Sequence, residues 1–166
     1  MKVIDIRKKS SVQVSKEICL GNGFRKTFAS KRDAGYFVAA TNRFLTECLV
    51  IINGVYTDAL VQYRTAWFYM ANTKNGTRTN YLDIQRDVKS SLESVDLMLD
   101  KFNGYWSNDP FFSFINLQKA TMFLADALSG MENFNCKRNF TVQYYQCKIL
   151  RKRCSLVADA LKDYGT

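Results

Sequence analysis

The chain has 166 residues, 47% of them hydrophobic, with twelve Phe, nine Tyr, two Trp, a formal net charge of +9 and no histidine. That length suits one domain with a sizeable core, and the apolar and aromatic content excludes wholesale disorder. The missing histidine excludes Ser-His-Asp and Cys-His nucleophile activation, HExxH zinc proteolysis and the Glu-x-x-His ligands of di-iron bundles.

The charge is unevenly placed. Residues 1–32 carry nine Lys/Arg against Asp5 and Glu17, and residues 136–153 carry six Lys/Arg with no acid, while residues 33–135 hold eight bases against eleven acids. Such a distribution points to an extended anionic or acidic partner. The expected organisation is a basic N-terminal arm over residues 1–32 followed by a helical bundle over residues 33–166.

Residues 1–9 mix charge with apolar residues and lack the apolar core of a secretory signal, and no stretch approaches 18 uncharged apolar residues. The expectation is a soluble protein with no membrane partner, either cytoplasmic or enclosed in a virus particle assembled there. Within the arm, Ser11-Val12-Gln13-Val14-Ser15 alternates with period two, and Gly21-Asn22-Gly23 separates it from Phe24-Arg25-Lys26-Thr27-Phe28. This pattern reads as a short β-hairpin or as an irregular arm that orders on a partner. A lone two-stranded hairpin is marginal in water, so the arm needs something to dock on.

A single proline and the three-four apolar spacing that follows predict an all-α fold, an up-down bundle of about four helices. Ser30-Lys31-Arg32-Asp33 resembles a capping box and opens the first helix. Its expected inward stripe is Phe37, Phe44, Cys48, Ile51, Val55, Ala59, Tyr63, Trp67 and Met70, with Asn53-Gly54 as a kink or break. Residues 72–80 read as a polar turn. The second helix is expected from near Asn80, with Ile84, Val88, Leu92, Val95, Leu99 and Phe102 inward and Asn103-Gly104 as its C-cap. Asp109-Pro110 marks the third helix start, and Leu117, Thr121, Leu124, Leu128 and Met131 its inner face. The last helix is expected from near Asn139, burying Cys147, Leu150, Cys154, Val157 and Leu161.

With that face inward, Lys148 and Lys152 point outward at 100° per residue, with Arg151 and Arg153 on the flanks. Tyr145, Ile149 and Leu156 also fall outside, interleaved with the bases. Three readings of this face follow: a track for a phosphate backbone with Tyr144 or Tyr145 stacking on bases, a subunit interface, or a basic solvated surface. Candidate nucleic-acid contacts are Arg7, Lys8, Lys9, Arg25, Lys26, Lys31 and Arg32 in and beside the arm, with Lys137, Arg138, Tyr144, Lys148, Arg151 and Lys152. Candidate protein-interface residues are Val12, Val14, Ile18 and Phe28 in the arm and Tyr145, Ile149 and Leu156 in the last helix. The aromatic cluster around Pro110 (Tyr105, Trp106, Phe111, Phe112, Phe114) exceeds what one small bundle end buries.

Five cysteines without a CxxC pair predict neither a disulfide framework nor a zinc site. Asp83/Asp87 and Asp96/Asp100 are carboxylate pairs at helical spacing that read as solvated, and no phosphate-cradling or hydrolase-elbow motif occurs. No catalytic residue, cofactor or metal is expected. The expected function is a non-enzymatic, self-associating bundle that contacts RNA or DNA as an accessory or packaging component of a nucleoprotein complex. The alternative is a structural assembly subunit, a ring, shell or connector element of a phage-like particle, whose arm laces its neighbours.

Overall fold

The computed structural model describes residues 17–19, 25–27, 30–71, 81–105 and 110–164. Four helices dominate: α1 (Lys31–Ala71), α2 (Leu82–Tyr105), α3 (Pro110–Lys137) and α4 (Thr141–Tyr164). Ahead of them, β1 (Glu17–Cys19) and β2 (Arg25–Thr27) pair antiparallel, with Glu17 opposite Thr27 and Cys19 opposite Arg25. The alternating run Ser11-Val12-Gln13-Val14-Ser15 lies outside the described residues, as do Phe28 and the polar stretch 72–80.

The first helix starts where its cap is written, with the Ser30 hydroxyl accepting a hydrogen bond from the Asp33 amide at 3.2 Å. It then runs unbroken through Asn53-Gly54 to Ala71. A helical Gly costs about 1 kcal/mol relative to Ala. Burial of Ile52 and Val55 on either side outweighs it, at about 1.5–3 kcal/mol for each fully buried side chain.

The buried row of α1 is Ala34, Val38, Thr41, Leu45, Cys48, Ile52, Val55, Ala59 and Ala66, with steps alternating between four and three along most of its length. That is the 3.5-residue period of a coiled-coil seam. It corrects the expected stripe at Ile51, which is 47% exposed, its place inside being taken by Ile52. Phe37 and Phe44 are half-buried and stack on Tyr164 at the end of α4, with centroids 6.1 and 4.4 Å away.

In α2 the inward residues Val88, Leu92, Val95, Leu99 and Phe102 are buried as the spacing predicts, with Ile84 half-buried. The helix continues through Asn103-Gly104 to Tyr105 rather than ending there. Fully buried Phe102 anchors that final turn, and its packing overrides a local stop signal. Pro110 opens α3 in the position where its missing donor costs nothing. This helix buries residues on most sides, including Phe114, Leu117, Ala120, Leu124, Leu128, Met131 and Phe134, because it touches all three of the others.

Asn139 does not begin α4. It has φ of 60° and terminates α3. The amide of Phe140 donates to the Asn135 carbonyl at 2.8 Å and that of Asn139 to the Cys136 carbonyl at 3.2 Å. This is the double bond of a Schellman motif, completed by the Phe134–Phe140 ring contact at 6.2 Å. The Phe140 carbonyl then accepts from Tyr144, and α4 follows with Cys147, Leu150, Cys154, Val157 and Leu161 buried.

Contacts between helices fix relative heights. The hydroxyls of Thr41 and Tyr164 lie 2.5 Å apart, joining the early part of α1 to the end of α4. A polar layer crosses α1, α3 and α4 nearer the other end. The Gln62 amide donates to Gln146 at 2.7 Å, the Cys147 thiol faces the Gln62 carbonyl oxygen at 3.8 Å, and the Asn135 amide donates to Cys147 at 3.6 Å. Trp67 stacks on Phe134 in the next layer at 4.8 Å.

Candidate nucleic-acid interface

The outer half of α4 divides into two ribbons at 100° per residue. One, beside α3, carries Lys148, Arg151 and Ser155 with Tyr144. The other, beside α1, carries Val142, Ile149, Arg153 and Leu156. Lys152 and Tyr145 stand between them. The phosphate-track and subunit-interface readings therefore use different sides of one helix.

Arg151 does not contribute a spare charge. Its guanidinium donates through Nε and Nη2 to both carboxylate oxygens of Glu132 on α3, a residue 7% exposed. The hydrogen bond and charge of Glu132 push the Arg151 pKa further up. Lys148, Lys152 and Arg153 are exposed and meet no carboxylate in an ion pair among the described residues. Lys148 lies over the Tyr144 ring with its Nζ 5.9 Å from the centroid, and Tyr144 packs edge-on against Tyr145 at 5.1 Å. Tyr144 is half-buried and one face is occupied, whereas Tyr145 is exposed. Between them, Tyr145, Lys148, Ile149, Arg151, Lys152 and Ser155 line a depression of about 490 Å³.

Lys137 is exposed at the end of α3, and half-buried Arg138 lies over the rings of Tyr81 and Phe140 at 5.7 and 5.9 Å. Lys31 and Arg32 do not join the basic ribbon. Arg32 donates from Nε to the Tyr36 hydroxyl at 3.0 Å and covers that ring. Given the Thr41–Tyr164 contact, these bases sit roughly 30 Å along the bundle axis from Lys152 at 1.5 Å per residue. Ile18, Arg25 and Lys26 lie in the strand pair, where only the backbone is described. Arg7, Lys8, Lys9, Val12, Val14 and Phe28 lie outside the described residues.

The thiols supply no nucleophile in the interior. Burial pushes Cys147 and Cys154 up to about 12 and Cys48 up to about 11, with Glu132 adding at Cys147 and Glu47 at Cys48. Among the described residues no group of three His, Cys, Asp or Glu is placed to hold a metal ion. Asp83 instead pairs with Arg86 at 2.8 Å on the surface. Across the molecule, Glu93, Asp96 and Asp100 of α2 form an acidic flank. Burial first, and these charges second, raise the Tyr56 hydroxyl pKa.

One functional residue escapes a reading of single helices. Glu132 looks like an ordinary surface acid until α4 is docked beside it, and nothing local to α3 signals the pairing. The outer row of α1, with Val50, Val61 and Phe68 exposed, is visible in the sequence as a second apolar row behind the buried one. By length and composition α1 is also apolar enough to cross a membrane.

No protein-family model, curated protein or solved structure matches the chain.

Proposed function

We propose that this protein is a non-enzymatic, self-associating helical bundle that binds nucleic acid along α4, serving as an accessory or packaging component of an intracellular or virion nucleoprotein complex. The observation that carries the reading is the ribbon of Lys148 and Lys152, exposed, unneutralised among the described residues and adjoined by Tyr145. Lys137 and Arg138, at the turn before α4, are further candidate contacts. In this reading the basic arm supplies further phosphate contacts through Arg7, Lys8, Lys9, Arg25 and Lys26, with β1–β2 as its hairpin. Contacts that join early α1 to late α4, and late α3 to early α4, support an up-down course for the bundle.

Phosphate contacts make binding fall with salt at a log–log slope of about 0.9 per neutralised phosphate on duplex DNA. Lys148 and Lys152 alone therefore lower affinity roughly 12-fold between 50 and 200 mM salt. A fluorescent single-strand or duplex probe titrated across that range tests the reading. Lys148→Ala and Lys152→Ala should each flatten the slope by about 0.9. Absence of binding at low salt, or a slope that neither substitution changes, overturns the proposal.

The second reading, a ring, shell or connector subunit, is favoured by one observation: Ile149 and Leu156 on the α1 side of α4, and Tyr145 next to them, are each more than half exposed. Deleting residues 1–30 tests its lacing arm. A defined oligomer should then collapse in light scattering, and an unchanged mass counts against the strap.

A further inference from the structure

The outer surface of α1 and the adjoining flank of α4 form one apolar face. On α1, Val50 and Val61 are 66 and 51% exposed; on α4, Ile149 and Leu156 are 55 and 62% exposed. A hollow of about 280 Å³ between the two helices joins them, lined by Asp58, Val61, Gln62, Gln146, Ile149 and Leu150. Gly54 lies on the same face. A Cβ there would meet nothing within 4 Å among the described residues, so none of them requires a residue that is unfavourable in mid-helix. A glycine on an outer helical face permits close approach by another helix.

The charges across this face select the occupant. Between Arg43 and Arg64, α1 carries only Glu47 and Asp58, whereas the flank of α4 beside it carries Arg153, with Lys152 next to it and no acid before Asp159. One half of the face is acidic and the other basic, so it is complementary to a rotated copy of itself. We propose that this face receives a second copy of the chain about a two-fold axis parallel to the helices, each α1 lying against the partner's α4. Rotation about such an axis preserves height. Asp58, level with Leu150 in the shared hollow, then falls within a turn of Arg153 of the partner subunit. An axis across the helices instead sets α4 on α4, base against base, which costs affinity. The interface is isologous and closes at two chains.

The proposal rests on the self-association half of the reading above and specifies its surface. It leaves Lys148 and Tyr144, on the far side of α4, outside the contact. Light scattering on nuclease-treated protein should give twice the chain mass of 19.1 kDa. Val61→Glu and Ile149→Glu should each reduce it to one chain with the helical circular dichroism unchanged. Asp58→Arg should raise the dissociation constant roughly tenfold, and adding Arg153→Asp should restore it. That charge swap, confined to exposed positions, decides the matter should the glutamate variants lose helix.

A one-chain mass for the wild type overturns the proposal, as does a dimer that survives both glutamates or a swap without rescue. Co-sedimentation of one-chain protein with phosphatidylcholine vesicles also overturns it, because the apolar face of α1 then meets lipid. Probe binding by the same variants, with Lys148 and Lys152 intact, separates failure of this interface from failure of the nucleic-acid reading.

Discussion

Gly130 of α3 offers the sharpest stability test. A Cβ at this position would lie 2.6 Å from Cγ2 of Val88 on α2, against an optimal carbon contact of about 3.5–4.0 Å, so something must yield by roughly 1 Å. Val88 is 2% exposed, and a β-branched side chain in a helix has one strongly preferred rotamer, so it cannot swing aside. Overpacking of this kind costs about 1–3 kcal/mol. Alanine's better helix propensity offsets about 1 kcal/mol. Gly130→Ala should therefore destabilise by about 1 kcal/mol, lowering Tm by roughly 2–4 °C at fixed protein concentration. Val88→Ala alone leaves a void and should cost about 2 kcal/mol. In the double variant the new methyl occupies that void, so denaturant titration should show a coupling of at least about 1 kcal/mol. A Gly130→Ala protein that melts higher than wild type, or additive single effects, refutes the close approach of α2 and α3 at this point.

Other expectations concern the pair behind the basic ribbon, the turn before α4 and the buried thiols. Arg151→Met strands a carboxylate that is only 10% exposed and should cost about 3 kcal/mol in urea unfolding. Glu132→Gln should cost less and release Arg151 to the surface, steepening the salt dependence of probe binding by about 0.9. Asn139→Val places a β-branched residue at φ 60° and should destabilise by about 1–2 kcal/mol, whereas Asn139→Gly should be neutral or stabilising by melting temperature. The folded-state pKa of Cys147 and Cys154, near 12, exceeds the ordinary value of 9.0. Their contribution is therefore complete below pH 9 and is lost as pH rises toward 12. Stability followed to alkaline pH should decline over that window, and Cys154→Ala should flatten the decline; an identical pH profile contradicts the burial.

The sequence makes α4 readable because its apolar residues occupy one narrow row and its bases the rest, so period alone sorts inside from outside. In α1 the same reasoning slips at Ile51 and Ile52. A helix with apolar rows on two faces gives no contrast between them. The choice depends on whether the row advances by 3.5 or 3.6 residues per turn, a difference that packing against α3 and α4 decides. Asn139 is legible as a boundary but not as to which helix it serves, since asparagine favours both an N-cap and a left-handed C-terminal position. The basic character of the candidate site follows from composition. The neutralisation of Arg151 does not, because Glu132 lies nineteen residues away on another helix and meets it only when the two dock.

A seam that repeats every seven residues is a ruler with equal divisions, and by apolar fit alone α1 could slide one division along its neighbours. Leu45 and Ile52, or Ala59 and Ala66, would then exchange places with little loss, and among these four only the step from Ile52 to Ala59 changes side-chain volume. The Gln62–Cys147–Asn135 layer is an unequal mark on that ruler. A slide of one division would bring Val55 to the height of Asn135 and take Gln62 away from Gln146 and Cys147. Registry of the longest helix is thus marked at one end by this layer and at the other by the Thr41–Tyr164 contact, and replacing Gln62, Asn135 and Cys147 by leucine together with Thr41→Val should give a bundle that is as helical but less uniquely aligned.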